Sequence, residues 1–67
     1  MIRVLHIVGG LDRGGLETFI MNVYRNIDCS IIQFDFLKTS LHEGAYEEEV
    51  KDLGGRIYSI QPRRNGI

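Results

Sequence analysis

Residues 2–27 read IRVLHIVGGLDRGGLETFIMNVYRNI, and a change of periodicity inside them decides the fold. Residues 2–8 are mostly β-branched and aliphatic and run into a glycine pair, the pattern of a strand buried on both faces of a parallel sheet. After the glycine-rich GGLDRGG, the residues Leu16, Ile20, Val23 and Ile27 recur at steps of four, three and four, with Phe19 beside them. That spacing predicts a helix with those residues as its apolar face. Glu17 falls in its first turn and Arg25 near its end, each where the helix dipole favours that charge.

The rest of the chain continues the alternation. Asn26, Asp28, Cys29 and Ser30 form a polar turn, and residues 31–38 predict a second strand with Ile32, Phe34 and Phe36 on one face and Gln33 and Asp35 on the other. The loop TSLHEG leads to a helix around residues 45–53, with Tyr46, Val50 and Leu53 on one side and Glu47, Glu48, Glu49, Lys51 and Asp52 forming a solvated opposite side. Gly54 and Gly55 end it, RIYSI at residues 56–60 predicts a third strand, and Pro62 breaks further pairing.

The order β-α-β-α-β, with connections long enough for helical crossovers, predicts an α/β fold: a three-stranded parallel sheet forming a Rossmann-like half. Strand 1 belongs beside strand 2, with strand 3 outside strand 2. No further strand is available from RRNGI at residues 63–67, so the most hydrophobic strand becomes an unprotected edge. The chain is accordingly expected to self-associate through strand 1, swap elements or aggregate.

Size and charge bound the function. Sixty-seven residues allow one compact unit. A hydrophobic content of 43%, a charged content of 25% and a net charge of -1 describe a globular chain without the basic footprint of a nucleic-acid binder. The single cysteine, Cys29, with only His6 and His42 to join it, makes no zinc-ligand spacing. No apolar run has the ~20 residues of a membrane span, and the start does not read as a secretion signal. The expectation is a soluble cytoplasmic chain with Met1 as its true start and no metal or cofactor of its own.

The loop at residues 9–15 lies between the carboxyl end of strand 1 and the start of helix 1, where open α/β sheets bind ligands and where backbone N–H groups can approach a phosphate. Gly9, Gly10, Gly14 and Gly15 also suit a tight turn and close helix packing, so both readings stand at this point. A P-loop would place Lys and Ser or Thr after its last glycine, whereas Leu16 and Glu17 follow Gly15. A dinucleotide fingerprint starting at Gly9 would need glycine where Leu11 stands, and an acidic residue at the end of strand 2 where Lys38 and Thr39 stand. An NAD site is disfavoured on both counts.

The segments V-G-G-L-D-R-G-G-L-E, M-N-V-Y-R-N-I-D, Q-F-D-F and E-E-V-K-D-L-G-G-R-I-Y, in this order and spacing, closely resemble the beginning of family 4 glycosyltransferases of GT-B fold, especially bacterial enzymes of exopolysaccharide and capsule synthesis. The likeness runs from Met1 to about Pro62, and its most specific part is G-G-x-x-x-G-G-x-E. It implies that residues 1–67 are part of an N-terminal, acceptor-side Rossmann-like domain, with the C-terminal donor-binding domain absent. It also implies metal-independent transfer of a sugar from a nucleotide-sugar, with retention of configuration, to a saccharide or lipid-linked acceptor. In that family the first glycine-rich loop approaches the donor diphosphate, a role mapping onto Gly14 and Gly15, with Gly9 and Gly10 shaping the turn. Leu16 stands where the family often has a smaller residue. With the donor domain missing, these residues alone are expected to be inactive.

Other residues have plainer readings. His42 and Glu43 follow strand 2 on the ligand side and are candidate acceptor contacts. His6 is expected to be a hydrogen-bonded core or edge residue, Cys29 incidental, and Arg63 with Arg64 a severed linker. Two further readings of the whole chain are a stand-alone interaction module pairing through its edge strand and a small nucleotide-binding protein.

Overall fold

A computed structural model describes residues 1–60, so the expectations placed on Pro62, Arg63 and Arg64 lie outside the described residues. The elements are β1 (Ile2–Val8), α1 (Gly15–Asn26), β2 (Ile32–Lys38), α2 (Glu47–Leu53) and β3 (Ile57–Ser59). The three strands form one parallel sheet in the order β1-β2-β3, with Ile2 opposite Ile32 and Phe36 opposite Ile57. This is the Rossmann-like half expected from the sequence, with β1 at an edge.

The core lies on one sheet face. Phe34 and Phe36 project from β2 against Ile20, Met21 and Tyr24 of α1, Val50 of α2 and Tyr46 just before it. Tyr24 and Phe34 stack with ring centroids 4.9 Å apart. The helices are tied to each other by Arg25, whose Nε and Nη2 donate to Glu49 Oε2 and Oε1 at 2.5 and 2.7 Å, and by Thr18 Oγ1 and Tyr46 OH, 2.8 Å apart. Arg25 therefore bridges two helices rather than merely balancing its own helix dipole.

The expected apolar face of α1 is rotated. Ile20 is buried, but its companions are Met21 and Tyr24, while Leu16, Phe19 and Val23 are exposed. Tyr24 can go inward because its hydroxyl donates to Gln33 Oε1 at 2.6 Å, which removes the usual cost of burying a phenol. β1 is likewise not buried on both faces: Leu5 and Ile7 are exposed on the face away from the helices, and Ile2 and Val4 are exposed on the other.

The other face of β2 is polar but closed. Asp35 accepts from Arg3 Nε and Nη2 at 2.9 and 2.6 Å and from the Arg56 N–H at 3.0 Å. The Arg3 guanidinium holds the Asp35 carboxyl below the usual range, against the upward push of burial. Gln33 Nε2 donates to Leu53 O at 2.9 Å, clamping the end of α2. There Gly54, at φ 101°, takes the left-handed conformation that stops the helix, and Gly55 N donates to Val50 O. Both glycines act as the sequence predicts. His6 departs from expectation: it lies between Phe34 and Phe36, with centroids 4.4 and 5.4 Å away, and its buried Nε2 has no hydrogen-bond partner among the described residues.

Candidate functional site

The site is built where the carboxyl ends of β1 and β2 release two loops that dock on each other. From β1 the chain passes Gly9 and Gly10 and then drops Leu11, fully buried, into the core. An apolar residue inside a polar loop anchors the loop as a hydrophobic plug. Leu11 O accepts the Tyr46 N–H at 2.9 Å, and Asp12 Oδ1 accepts the Ala45 N–H at 3.3 Å. Gly14 N turns back to Asp12 O at 2.8 Å, and Gly14 O accepts from Thr18 N at 2.9 Å to open α1.

The second loop, residues 39–46, is held from beneath by a buried ion pair. Lys38, the last residue of β2, donates from Nζ to a Glu47 carboxylate oxygen and to His42 O, the latter at 2.7 Å. The same Glu47 oxygen accepts the Gly44 N–H at 2.9 Å. Both side chains are closed off, Lys38 at 4% and Glu47 at 8% exposure. Burial alone would push the Glu47 carboxyl up, but the Lys38 ammonium and the Gly44 amide outweigh it and hold the group below its ordinary value. Glu47 is thus not part of a solvated helix face; of the three consecutive glutamates, Glu48 is exposed and Glu49 pairs with Arg25.

Gly44 is where the two loops touch most closely. A Cβ there would collide with the carbonyl group of Leu11 and fall 2.9 Å from Asp12 N, so only glycine fits. The four glycines of the first loop differ. None is among the described glycines with positive φ, and a Cβ at Gly9 or Gly15 would meet nothing within 4 Å. At Gly10 the nearest atom would be Asp12 Oδ2 at 3.9 Å, and at Gly14 a Cβ would collide with the Glu17 carboxylate, which folds back over the start of α1. The fold therefore requires glycine at position 44 and leaves Gly9 and Gly15 unexplained by packing.

The exposed rim carries the remaining candidates. His42 Nε2 lies 3.7 Å from Asp12 Oδ2, so the structure joins Asp12 to the pair His42 and Glu43 picked out by sequence. Arg13 and Glu43 are exposed beside them. His6 lies along β1, away from this rim, and Cys29 is half-buried with Sγ 3.9 Å from Tyr24 O. Sequence reasoning missed Leu11, Lys38, Gly44 and Glu47 as builders of the site. Leu11 alone carried a readable signal, being an apolar residue flanked by Gly10 and Asp12.

Among the described residues no group of His, Cys, Asp or Glu is placed to hold a metal ion, no pocket is enclosed, and no helix is long and apolar enough to cross a membrane. The arrangement can present backbone N–H groups at the start of α1 where the Glu17 carboxylate moves aside and, beside them, a carboxylate and imidazole rim suited to hydroxyl groups.

No protein-family profile and no solved structure matches the chain. One curated relative, in Bacillus subtilis (strain 168), bears the name "Putative glycosyltransferase EpsF", and the likeness covers 58 residues, 87% of this chain but 15% of that protein. A span of 58 in 67 residues must include residues 10–58, and therefore Gly14, Gly15, Lys38, Gly44 and Glu47. With 50% identity across that span, the chain is similar, over most of its length, to a segment of a protein named as a glycosyltransferase.

Proposed function

We propose that this chain is the N-terminal, acceptor-side segment of a GT-B glycosyltransferase that moves a sugar from a nucleotide-sugar to a saccharide or lipid-linked acceptor, with retention of configuration and without a metal. The observation that carries the reading is the 50% identity to the Bacillus glycosyltransferase over a span that contains both docked loops. The chain spans about 15% of that relative; on this reading the activity belongs to a longer polypeptide, and these residues alone do not turn over. A role in exopolysaccharide assembly in the cytoplasm follows from the same reading.

The physical roles are specific. Gly15, open above and at the start of α1, lets a donor diphosphate approach the backbone, where N–H groups and the helix dipole stabilise the charge that develops on the leaving group. Gly14 lies under the Glu17 carboxylate, which a diphosphate must displace. His42, Glu43 and Asp12 form the hydroxyl-binding rim for the acceptor.

Titrating the isotope-labelled chain with UDP-glucose tests the donor role. Amide shifts confined to Gly14, Gly15 and Leu16, abolished by Gly15→Val, are the expected result; shifts elsewhere, or none at high ligand, would remove the role. In parallel, sugar transfer by the purified 67-residue chain would overturn the statement that it is inactive alone.

A further inference from the structure

We propose that Lys38 and Glu47 are positioning residues for the rim of Asp12, His42 and Glu43: their buried pair sets the course of residues 39–46 and holds that rim against the first loop, without being what holds up the fold. That the rim receives an acceptor rests on the glycosyltransferase reading. The placement of the loop does not.

β2 is the central strand of the sheet, and Lys38 closes it at the end from which the second loop departs. The loop is tied at its start, where Thr39 N–H donates to Val8 O at 3.1 Å, and at its finish, where Tyr46 N–H donates to Leu11 O at 2.9 Å. Between those ties the chain swings outward, with Leu41, His42 and Glu43 exposed. His42 N–H turns back to Ser40 Oγ at 3.0 Å, a contact internal to the loop. The hold from beneath comes from the pair: Lys38 Nζ donates to His42 O at 2.7 Å, and Glu47 Oε2, which also takes the ammonium, accepts the Gly44 N–H at 2.9 Å.

Two charges closed off from water gain little over a well-packed apolar pair, because the desolvation of each offsets their attraction. What an apolar pair lacks is direction. The ammonium and the carboxylate grip a carbonyl and an N–H two residues apart through charge-assisted hydrogen bonds, which fix both the height and the twist of the peptide segment between them. That segment carries His42 and Glu43, and it ends at Gly44, which packs on the Leu11 carbonyl where no β-carbon fits. Lifting it would take His42 Nε2 away from Asp12 Oδ2, now 3.7 Å distant, and strain the tie between Tyr46 and Leu11.

Lys38→Met combined with Glu47→Leu tests this, since it fills the same space with apolar side chains and deletes both directed bonds. Amide hydrogen exchange compares the variant with the wild-type chain, Tyr46 N–H reporting the docked loop and Phe36 N–H, bonded to Arg56 O at 2.8 Å, reporting the sheet. In the wild type Tyr46 is expected to be protected as Phe36 is. In the double variant, exchange at Tyr46 should quicken about tenfold or more, the scale of losing a hydrogen bond to a charged group, while Phe36 keeps its rate. The nuclear Overhauser contact between the His42 ring and Asp12 should vanish with it. Equal acceleration at both amides, or a double variant that does not fold, overturns the proposal, because the pair would then be supporting the fold. So does a Tyr46 N–H that keeps its wild-type rate in the folded variant, or one already unprotected in the wild type, since the pair would then place nothing. No ligand enters these measurements, whereas the donor role stands or falls by the UDP-glucose titration, so the two failures are told apart.

Discussion

Replacing Lys38 by methionine isolates the buried pair on which the second loop rests. Methionine keeps most of the aliphatic stem and deletes the ammonium, leaving the Glu47 carboxylate with the Gly44 N–H as its remaining partner in a closed site. Breaking a buried ion pair from one side costs about 3–5 kcal/mol. A chain of this length has a total stability of roughly 3–10 kcal/mol, so Lys38→Met removes a large share of it or all of it. The sign of the pH dependence gives a sharper test. In the wild type the Glu47 carboxyl is held low, so its contribution is present above the ordinary carboxylate range and lost as pH falls through the folded value. Without Lys38, burial is left to dominate and the folded value rises above the ordinary one, so the variant should gain stability between pH 7 and pH 5 as Glu47 takes a proton. Urea unfolding followed by circular dichroism at those two pH values, at fixed protein concentration, measures both effects. Adding Glu47→Gln should recover most of the loss. A cost below about 1 kcal/mol at pH 7, or stability of Lys38→Met that falls on acidification, would refute the reasoning.

Two further outcomes follow from packing and burial. Gly44→Ala should cost about 1–3 kcal/mol, since its β-carbon must push the Leu11 peptide aside, whereas Gly15→Ala should be neutral or stabilising by up to about 1 kcal/mol; thermal unfolding of the two variants should separate them clearly. Desolvation lowers the His6 pKa, so the neutral ring stabilises the fold above its unfolded value near 6.5 and that contribution is lost as pH falls towards the folded value. The resulting slope, at most about 1.4 kcal/mol per pH unit, should vanish in His6→Val; a pH profile identical in the two proteins would remove the assignment.

The sequence was most legible where one physical demand acted alone. Gly54 and Gly55 end α2, β1 spans the residues its composition marks out, and Tyr46, Val50 and Leu53 do turn towards the core. It was least legible where two demands competed. Helix α1 has apolar residues on two adjacent stripes, and the periodicity that selects Leu16, Ile20, Val23 and Ile27 cannot see that Tyr24 has Gln33 waiting for its hydroxyl. Likewise Glu47 reads as part of a solvated helix face because alone it would be; its partner Lys38 stands nine positions earlier, and only the docking of the second loop brings the two together. His42 and Glu43 follow β2 in the loop the sequence indicates, whereas Asp12 lies thirty positions away from His42 and is brought beside it by tertiary structure alone.

The glycines separate what folding asks from what a ligand would ask. A glycine needed by the fold shows it locally, through positive φ as at Gly54 or through a backbone neighbour inside the reach of a β-carbon as at Gly44. Gly9 and Gly15 show neither, so the chain gives up the stabilisation that alanine would bring there without a return in its own packing. A residue that lowers stability without a structural reason, at the mouth of a parallel sheet and the start of a helix, is the expected cost of keeping space for something the chain itself does not contain. The two alanine variants therefore test more than stability. If Gly15→Ala stabilises the chain and also weakens its response to UDP-glucose, space at that position was kept for the donor; if it stabilises the chain and leaves binding untouched, the glycine has no role in the site.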